Sequence, residues 1–154
     1  MKSFEYARPE TEAEAIEFLA AHDGQTAVLA GGTDLLNLLK ADLIAPERVV
    51  DLKGIDSLRT VVPAPGGVTI GALATLAEVH EHPLMAEYRA VLDVVENIRA
   101  IQLQHSGTVA GDLCHHPNCW YYRNGYGLLA LQNGASLMAE GDNRYHAILG
   151  NQGP

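Results

Sequence analysis

Between residues 26 and 39 a short apolar run, Thr26-Ala-Val-Leu-Ala30, stops at Gly31-Gly32-Thr33-Asp34, and Leu35, Leu36, Leu38 and Leu39 follow. The first run has the length of a buried strand and is bounded by glycines, whereas the leucines have helical spacing. A strand that becomes a helix across two glycines is half of a β-α-β unit, and it limits what the neighbouring segments can be. Upstream, Thr11-Glu-Ala-Glu14 has the pattern of a capping box, with Thr11 at the N-cap and Glu14 at N3. Ala15, Ile16, Leu19 and Ala20 then recur at helical spacing and Gly24 closes the element. Glu10, Glu12, Glu14 and Glu17 form a solvated face favoured by the helix dipole. Downstream, Arg48-Val-Val-Asp-Leu52 reads as the next strand.

Thr60-Val-Val62 and Val68-Thr-Ile-Gly71 flank Pro63-Ala-Pro-Gly-Gly67 as a hairpin. Residues 75–82 and 84–98 read as helices separated by Pro83. Strand, helix and strand followed by an antiparallel addition suggest α/β or α+β, the latter with an α/β-like N-terminal subdomain. From Gln102 onward, Gly107, Gly111, Pro117, Gly125, Gly127, Gly134 and Gly141 punctuate a region with little periodicity, which reads as functional loop or incompletely paired structure.

The 154 residues suit one domain of ordinary size, and 47% hydrophobic residues suffice for a core. Ten basic against 19 acidic residues give a net charge of −9, which argues against general nucleic-acid or anionic-membrane binding. It leaves phosphate binding open, because main-chain N–H groups can hold a phosphate without Lys or Arg. No apolar run is long enough to span a membrane, and Met1 to Pro9 carry no apolar signal segment. Two cysteines, Cys114 and Cys119, suit reduced thiols and a cytoplasmic protein.

Gly31 and Gly32 let the backbone take positive φ and let a ligand approach closely, while the helix start offers unpaired N–H groups to an anion. The Thr33 hydroxyl adds a donor. Asp34, ionised, repels phosphate and is expected to cap the helix or turn aside. The same four residues equally describe a plain turn with a good N-cap. They are neither a G-x-G-x-x-G fingerprint nor a P-loop. A second segment, Gly107-Thr-Val-Ala-Gly-Asp112, could join the first in holding the two phosphates of a dinucleotide. Cys114-His-His-Pro-Asn-Cys119 has the ligand types of a zinc site but not the spacing, so two ordinary thiols in a loop are the alternative. Trp120, Tyr121, Tyr122 and Tyr126 read as core or interface anchors. His22, His80, His82, His105 and His146 are scattered and take no catalytic role.

Ala30-Gly-Gly-Thr-Asp34 and Thr108-Val-Ala-Gly-Asp112 resemble the two FAD pyrophosphate loops of the FAD-binding (medium) subunit of molybdenum hydroxylases. These are the relatives of xanthine dehydrogenase, carbon monoxide dehydrogenase and 4-hydroxybenzoyl-CoA reductase. Thr69-Ile-Gly-Ala72, Cys119-Trp-Tyr-Tyr-Arg123 and Gly141-Asp-Asn-Arg-Tyr-His-Ala-Ile-Leu-Gly150 extend the likeness over nearly the whole chain. The resemblance implies a vanillyl-alcohol-oxidase-type (PCMH) FAD-binding fold, with a small β-α-β subdomain over about residues 1–55 and the start of a larger one over about 56–154.

It also implies FAD as cofactor, held by Leu29, Ala30, Gly31, Gly32, Thr33, Asp34, Leu35 and Leu36 in the first loop. Thr108, Val109, Ala110, Gly111 and Asp112 make the second. The implied partners are a molybdopterin-binding large subunit and a [2Fe–2S] small subunit, with electrons passing through FAD to NAD or another acceptor. No side chain is expected to act as acid, base, nucleophile or metal ligand, because the flavin carries the chemistry.

Three features depart from the family pattern. Ala110 replaces a usual glycine, and at positive φ its Cβ would cost about 1–2 kcal/mol. Two cysteines cannot make the four-cysteine [4Fe–4S] site of the reductase branch. The family's subunit continues beyond the position of Pro154, so the chain is expected to be an N-terminal part whose remainder another chain could supply. The rival readings are a flavin-free binding module on the same fold and a metal-stabilised interaction domain around Cys114 to Cys119.

Overall fold

The computed structural model describes residues 1–21, 24–127 and 130–146. Its first part runs β1 (Glu5–Ala7), α1 (Glu12–Ala20), β2 (Thr26–Leu29), α2 (Leu35–Lys40) and β3 (Arg48–Asp51). The strands form a parallel sheet of order β1-β3-β2, with Tyr6 and Ala27 both paired to Val49. Val49 and Val50 are consecutive and both buried, Val50 completely, so the central strand is covered on both faces as parallel sheets require.

Thr11 caps α1 by accepting from the Glu14 N–H at 3.2 Å. The Glu14 carboxylate accepts from the Glu10 N–H at 2.9 Å, one residue before the position a capping box would use. The helix ends at Ala20, so Gly24, with φ +84°, turns the chain into β2 rather than closing the helix. Arg48 fixes α1 to the sheet: its guanidinium pairs with the Glu5 carboxylate at 2.9 Å, donates to the Phe18 carbonyl at 3.2 Å and covers the Phe18 ring.

The hairpin joins β4 (Val61–Ala64) and β5 (Gly67–Ile70) antiparallel. Its turn is shorter than expected. Pro63 belongs to the ladder, opposite Val68, and Gly67 to the second strand. Proline is tolerated there because a two-stranded ribbon is all edge.

Next come α3 (Leu76–Glu81), α4 (Arg89–Asn97), α5 (Ile101–Ser106) and α6 (Val109–Leu113). The helix expected over 84–98 is interrupted, since Pro83–Met85 make a 3-10 turn and α4 starts only at Arg89. The region after Gln102 is not mainly loop as expected. It carries α5 and α6, six and five residues long, too short to show a period in the sequence. Gln104 fixes α5 by donating to the carbonyls of Val95 and Ile98. Ala74, Val79, Met85 and Leu92 form the core here, with Val61, Val68, Ile70 and Val109 packed against it.

A smaller cluster of Cys119, Ala130 and Met138, flanked by Tyr121 and Tyr122, organises the last part. It contains a wide turn over Tyr122–Tyr126, the short hairpin β6 (Leu131–Gln132) and β7 (Ala135–Ser136), and α7 (Leu137–Glu140). His22, the end of the last motif (Ala147 to Gly150) and the terminus at Pro154 lie outside the described residues. No helix among the described residues is long and apolar enough to cross a membrane. The mixture of strands and helices is the α+β class the sequence implied.

Candidate functional site

A cleft of about 720 Å³ opens where the end of β2 and the start of α2 meet α6 and the Ala72-Leu73 segment. Its volume is within the range of small-molecule sites. Residues 24–28, 44–46 and 114–116 also line it, with Leu38 and Leu52.

The first glycine loop is shaped by two distinct demands. Gly32 has φ +76°, a conformation that costs a residue with a Cβ about 1–2 kcal/mol. Gly31 is constrained by contact instead: a Cβ there would overlap the Ser106 carbonyl oxygen at the head of the second loop. The two glycine segments therefore touch backbone to backbone, although they lie far apart in sequence. Among the described residues none accepts a hydrogen bond from the main-chain N–H groups of Gly32, Thr33, Asp34 or Leu35. Four successive free donors beside a cleft are groups of the kind that can hold an anion. Thr26, also on the cleft wall, holds a buried hydroxyl with no hydrogen-bond partner among the described residues.

The second loop is built differently. Thr108, 5% exposed, caps α6 by accepting from the Gly111 N–H at 3.2 Å. The Val109 and Ala110 N–H groups donate to the carbonyls of Ala74 and Ala72, both at 3.0 Å, and the Asp112 N–H donates to the Thr108 carbonyl. These amides hold the loop against the core and are not free for an anion. Ala110 is helical with negative φ, so the strain expected from its Cβ does not arise.

Of the residues singled out from sequence, Ala30, Gly31, Gly32, Thr33, Asp34, Leu35, Thr108, Ala110 and Gly111 line the cleft together. Leu29, Leu36, Val109 and Asp112 do not. Leu29 and Leu36 close around Gly32 from behind, and Val109 packs into the core beside Ala74. Asp112 is exposed at the end of α6.

Asp34 lines the cleft and its carboxylate is engaged by other side chains. It makes no helix-capping bond, and its Oδ1 accepts from Arg123 Nη1 at 2.7 Å. His115 Nδ1 stands 3.8 Å from Oδ2. On the other side, Lys53 Nζ donates to the Ala30 carbonyl at 3.1 Å while pairing with Asp51 at 2.8 Å. Asp51 is 4% exposed and also accepts from the Tyr6 hydroxyl at 2.6 Å and the Lys53 N–H at 3.0 Å. Burial pushes its carboxyl pKa up, but the bonds from Lys53 and Tyr6 together outweigh burial and hold it below the usual carboxylate value. The same bond raises the Tyr6 pKa.

Sequence reasoning missed Arg123 and Lys53. Each bonds to a residue remote in sequence, and no local pattern signals that. It also read His115 and His116 only as zinc candidates, whereas both stand on the cleft wall. Among the described residues no three His, Cys, Asp or Glu side chains come together as a metal site. Cys119 is buried with Sγ 3.0 Å from His146 Nε2, and Cys114 is exposed. Trp120 meets Tyr121, Tyr145 and His146 edge to face, and Tyr121 meets Tyr126 likewise, as expected of packing anchors.

Residues 2–143 match a protein family described as the FAD binding domain in molybdopterin dehydrogenase. The chain is 32% identical over 153 residues to the aldehyde oxidoreductase FAD-binding subunit PaoB of Escherichia coli (strain K12), covering 97% of this chain and 48% of that protein. It is 29% identical over 142 residues to the carbon monoxide dehydrogenase medium chain of Hydrogenophaga pseudoflava, covering 91% and 48%. Reconstituted CO dehydrogenase from Oligotropha carboxidovorans superposes with a TM-score of 0.70 at 29% identity, over 72% of this chain and 39% of that one. The chain thus spans about half the length of the curated relatives it matches.

Proposed function

The chain belongs to the family of FAD-binding domains of molybdopterin dehydrogenases, and from that membership we propose that its cleft binds FAD, with the pyrophosphate at the first glycine loop. The observation that carries the reading is the run of unpaired N–H groups from Gly32 to Leu35 beside the cleft. Gly32 takes the positive φ that turns the chain into that run, and Gly31 lets the run pack directly against the second loop at Ser106. Thr33 adds a hydroxyl donor at the cleft wall.

In this reading the second loop shapes the cavity. Thr108 and Gly111 form one wall, and the Ala72 and Ala74 carbonyls hold that wall in place. The division of the chain near residue 55 into a β-α-β part and the start of a larger part is proposed on the same basis, the cleft taking residues from both. FAD, when bound, supplies the electron-transfer chemistry, and this chain's residues bind and orient it. We further propose that the chain serves as the flavin component of a cytoplasmic molybdenum hydroxylase. Its partners would be a [2Fe–2S] small subunit and a molybdopterin-binding large subunit.

The test is the visible absorption spectrum of the purified protein before and after adding FAD. Flavin bound near one per chain and released on denaturation supports the reading. A colourless protein that takes up none in FAD excess refutes it and leaves the flavin-free module.

A further inference from the structure

The geometry points to Arg123 as a positioning residue that neutralises Asp34 and thereby sets the first glycine loop to receive a doubly charged phosphate group. This rests on the phosphate-binding reading of the same cleft. Asp34 sits within the four unpaired amides, in a chain of net charge −9. A bare carboxylate there would oppose any anion those amides attract, and it is not needed as a helix cap.

Arg123 supplies the compensation in fixed geometry. Every guanidinium nitrogen is occupied: Nη1 donates to Asp34 Oδ1 at 2.7 Å, Nε to the Pro117 carbonyl at 2.9 Å and Nη2 to the His116 carbonyl at 3.1 Å. The group lies 5.7 Å from the centre of the Tyr122 ring. The two paired side chains are only 19% and 20% exposed, so solvent screens the pair weakly. Lysine offers one charge without the fork and cannot make these bonds together. The bonds to residues 116 and 117 also draw the His115-His116 wall toward the loop, so charge and wall position arrive through one side chain.

Neutralisation and wall-holding separate in a double-mutant cycle on the full chain. Affinities for FAD (fluorescence titration) and for inorganic pyrophosphate (calorimetry) are measured for wild type, Arg123→Ala, Arg123→Lys, Asp34→Asn and Arg123→Ala/Asp34→Asn. Circular dichroism confirms the fold of each. Arg123→Ala is expected to weaken both ligands about tenfold or more, and Asp34→Asn, which leaves the guanidinium charge uncompensated beside the loop, to tighten them a few-fold. The double variant is expected to return within about threefold of wild type, because removing the carboxylate removes the need for the guanidinium. Arg123→Lys is expected to fall between wild type and Arg123→Ala.

A double variant as weak as Arg123→Ala would show that Arg123 serves only to hold the wall, and would overturn the proposal. If wild type binds pyrophosphate but not FAD, the flavin reading falls and the pyrophosphate cycle still decides the role of Arg123. If it binds neither, both fall.

Discussion

Ala110 carries a methyl group on a helical residue whose N–H donates to the Ala72 carbonyl at 3.0 Å. Restoring the family's glycine there relieves no strain and adds unfolded-chain entropy. Ala110→Gly is therefore expected to destabilise the protein by about 0.5–1 kcal/mol in urea unfolding and to leave flavin affinity within about twofold. Tighter flavin binding by the glycine variant would contradict the helical backbone.

Gly31 behaves in the opposite sense. Its added Cβ would meet the fixed Ser106 carbonyl, so Gly31→Ala has to push the two loops apart. The expected cost is about 2–3 kcal/mol, with loss of most flavin affinity. A variant as stable as wild type would show that the loops do not touch. The sequence made the need for glycines at 31 and 32 legible, as a turn with close approach. It could not separate the contact at Gly31 from the positive φ at Gly32, since Ser106 becomes a neighbour only through the fold. Asp34 was legible as a residue whose charge opposes an anion. Its partner Arg123 was visible only as part of a family-like motif.

Among the elements, those with local signatures were legible: α1 from its Thr11 cap, β2 from glycine-bounded apolar residues, and β3 from adjacent valines. The helices α5 and α6 were not. Each is held by bonds to other segments, Gln104 to Val95 and Ile98, and Val109 and Ala110 to the Ala72–Ala74 stretch. Nor did the sequence reveal that β3 ends in a buried carboxylate that organises three segments. Asp51 gathers the Tyr6 hydroxyl from β1 and the Lys53 side chain, which in turn holds Ala30 at the mouth of the first loop.

Asp51→Asn keeps the shape but places an amide against donors, at an expected cost of about 2 kcal/mol at neutral pH. Because the folded-state pKa lies below the ordinary value, the unfolded chain takes up the proton first. The stabilisation is therefore complete above the usual aspartate pKa of about 4 and is lost as pH falls through the lower folded value. Urea titrations from pH 7 downward should show wild type and Asp51→Asn converging only in that acid range. A difference independent of pH would mean that Asp51 is not the titrating group.

For the whole molecule, the three-stranded sheet leaves β1 and β2 as edges, and the β2 edge is itself a wall of the cleft. Val28 on that edge is 46% exposed, next to backbone that a ligand in the cleft would cover. The same cleft joins elements from the start of the chain to α6 and the His115-His116 segment, and Gly31 and Asp34 on its first loop also reach Ser106 and Arg123 directly. A ligand seated there touches elements from both parts of the chain, so binding energy should appear as stability of the entire chain rather than of one loop. With free FAD at about 100 times its dissociation constant, the gain is about 2.7 kcal/mol. For a domain of this length that corresponds to a rise of about 5–10 °C in Tm. Since the loop amides recognise phosphate charge, the rise should shrink as salt lowers the affinity at fixed FAD concentration. Scanning calorimetry with and without FAD, at low and high ionic strength, checks both statements. A protein that unfolds at the same temperature in excess FAD would mean that flavin does not bind the folded chain or binds the unfolded chain equally well.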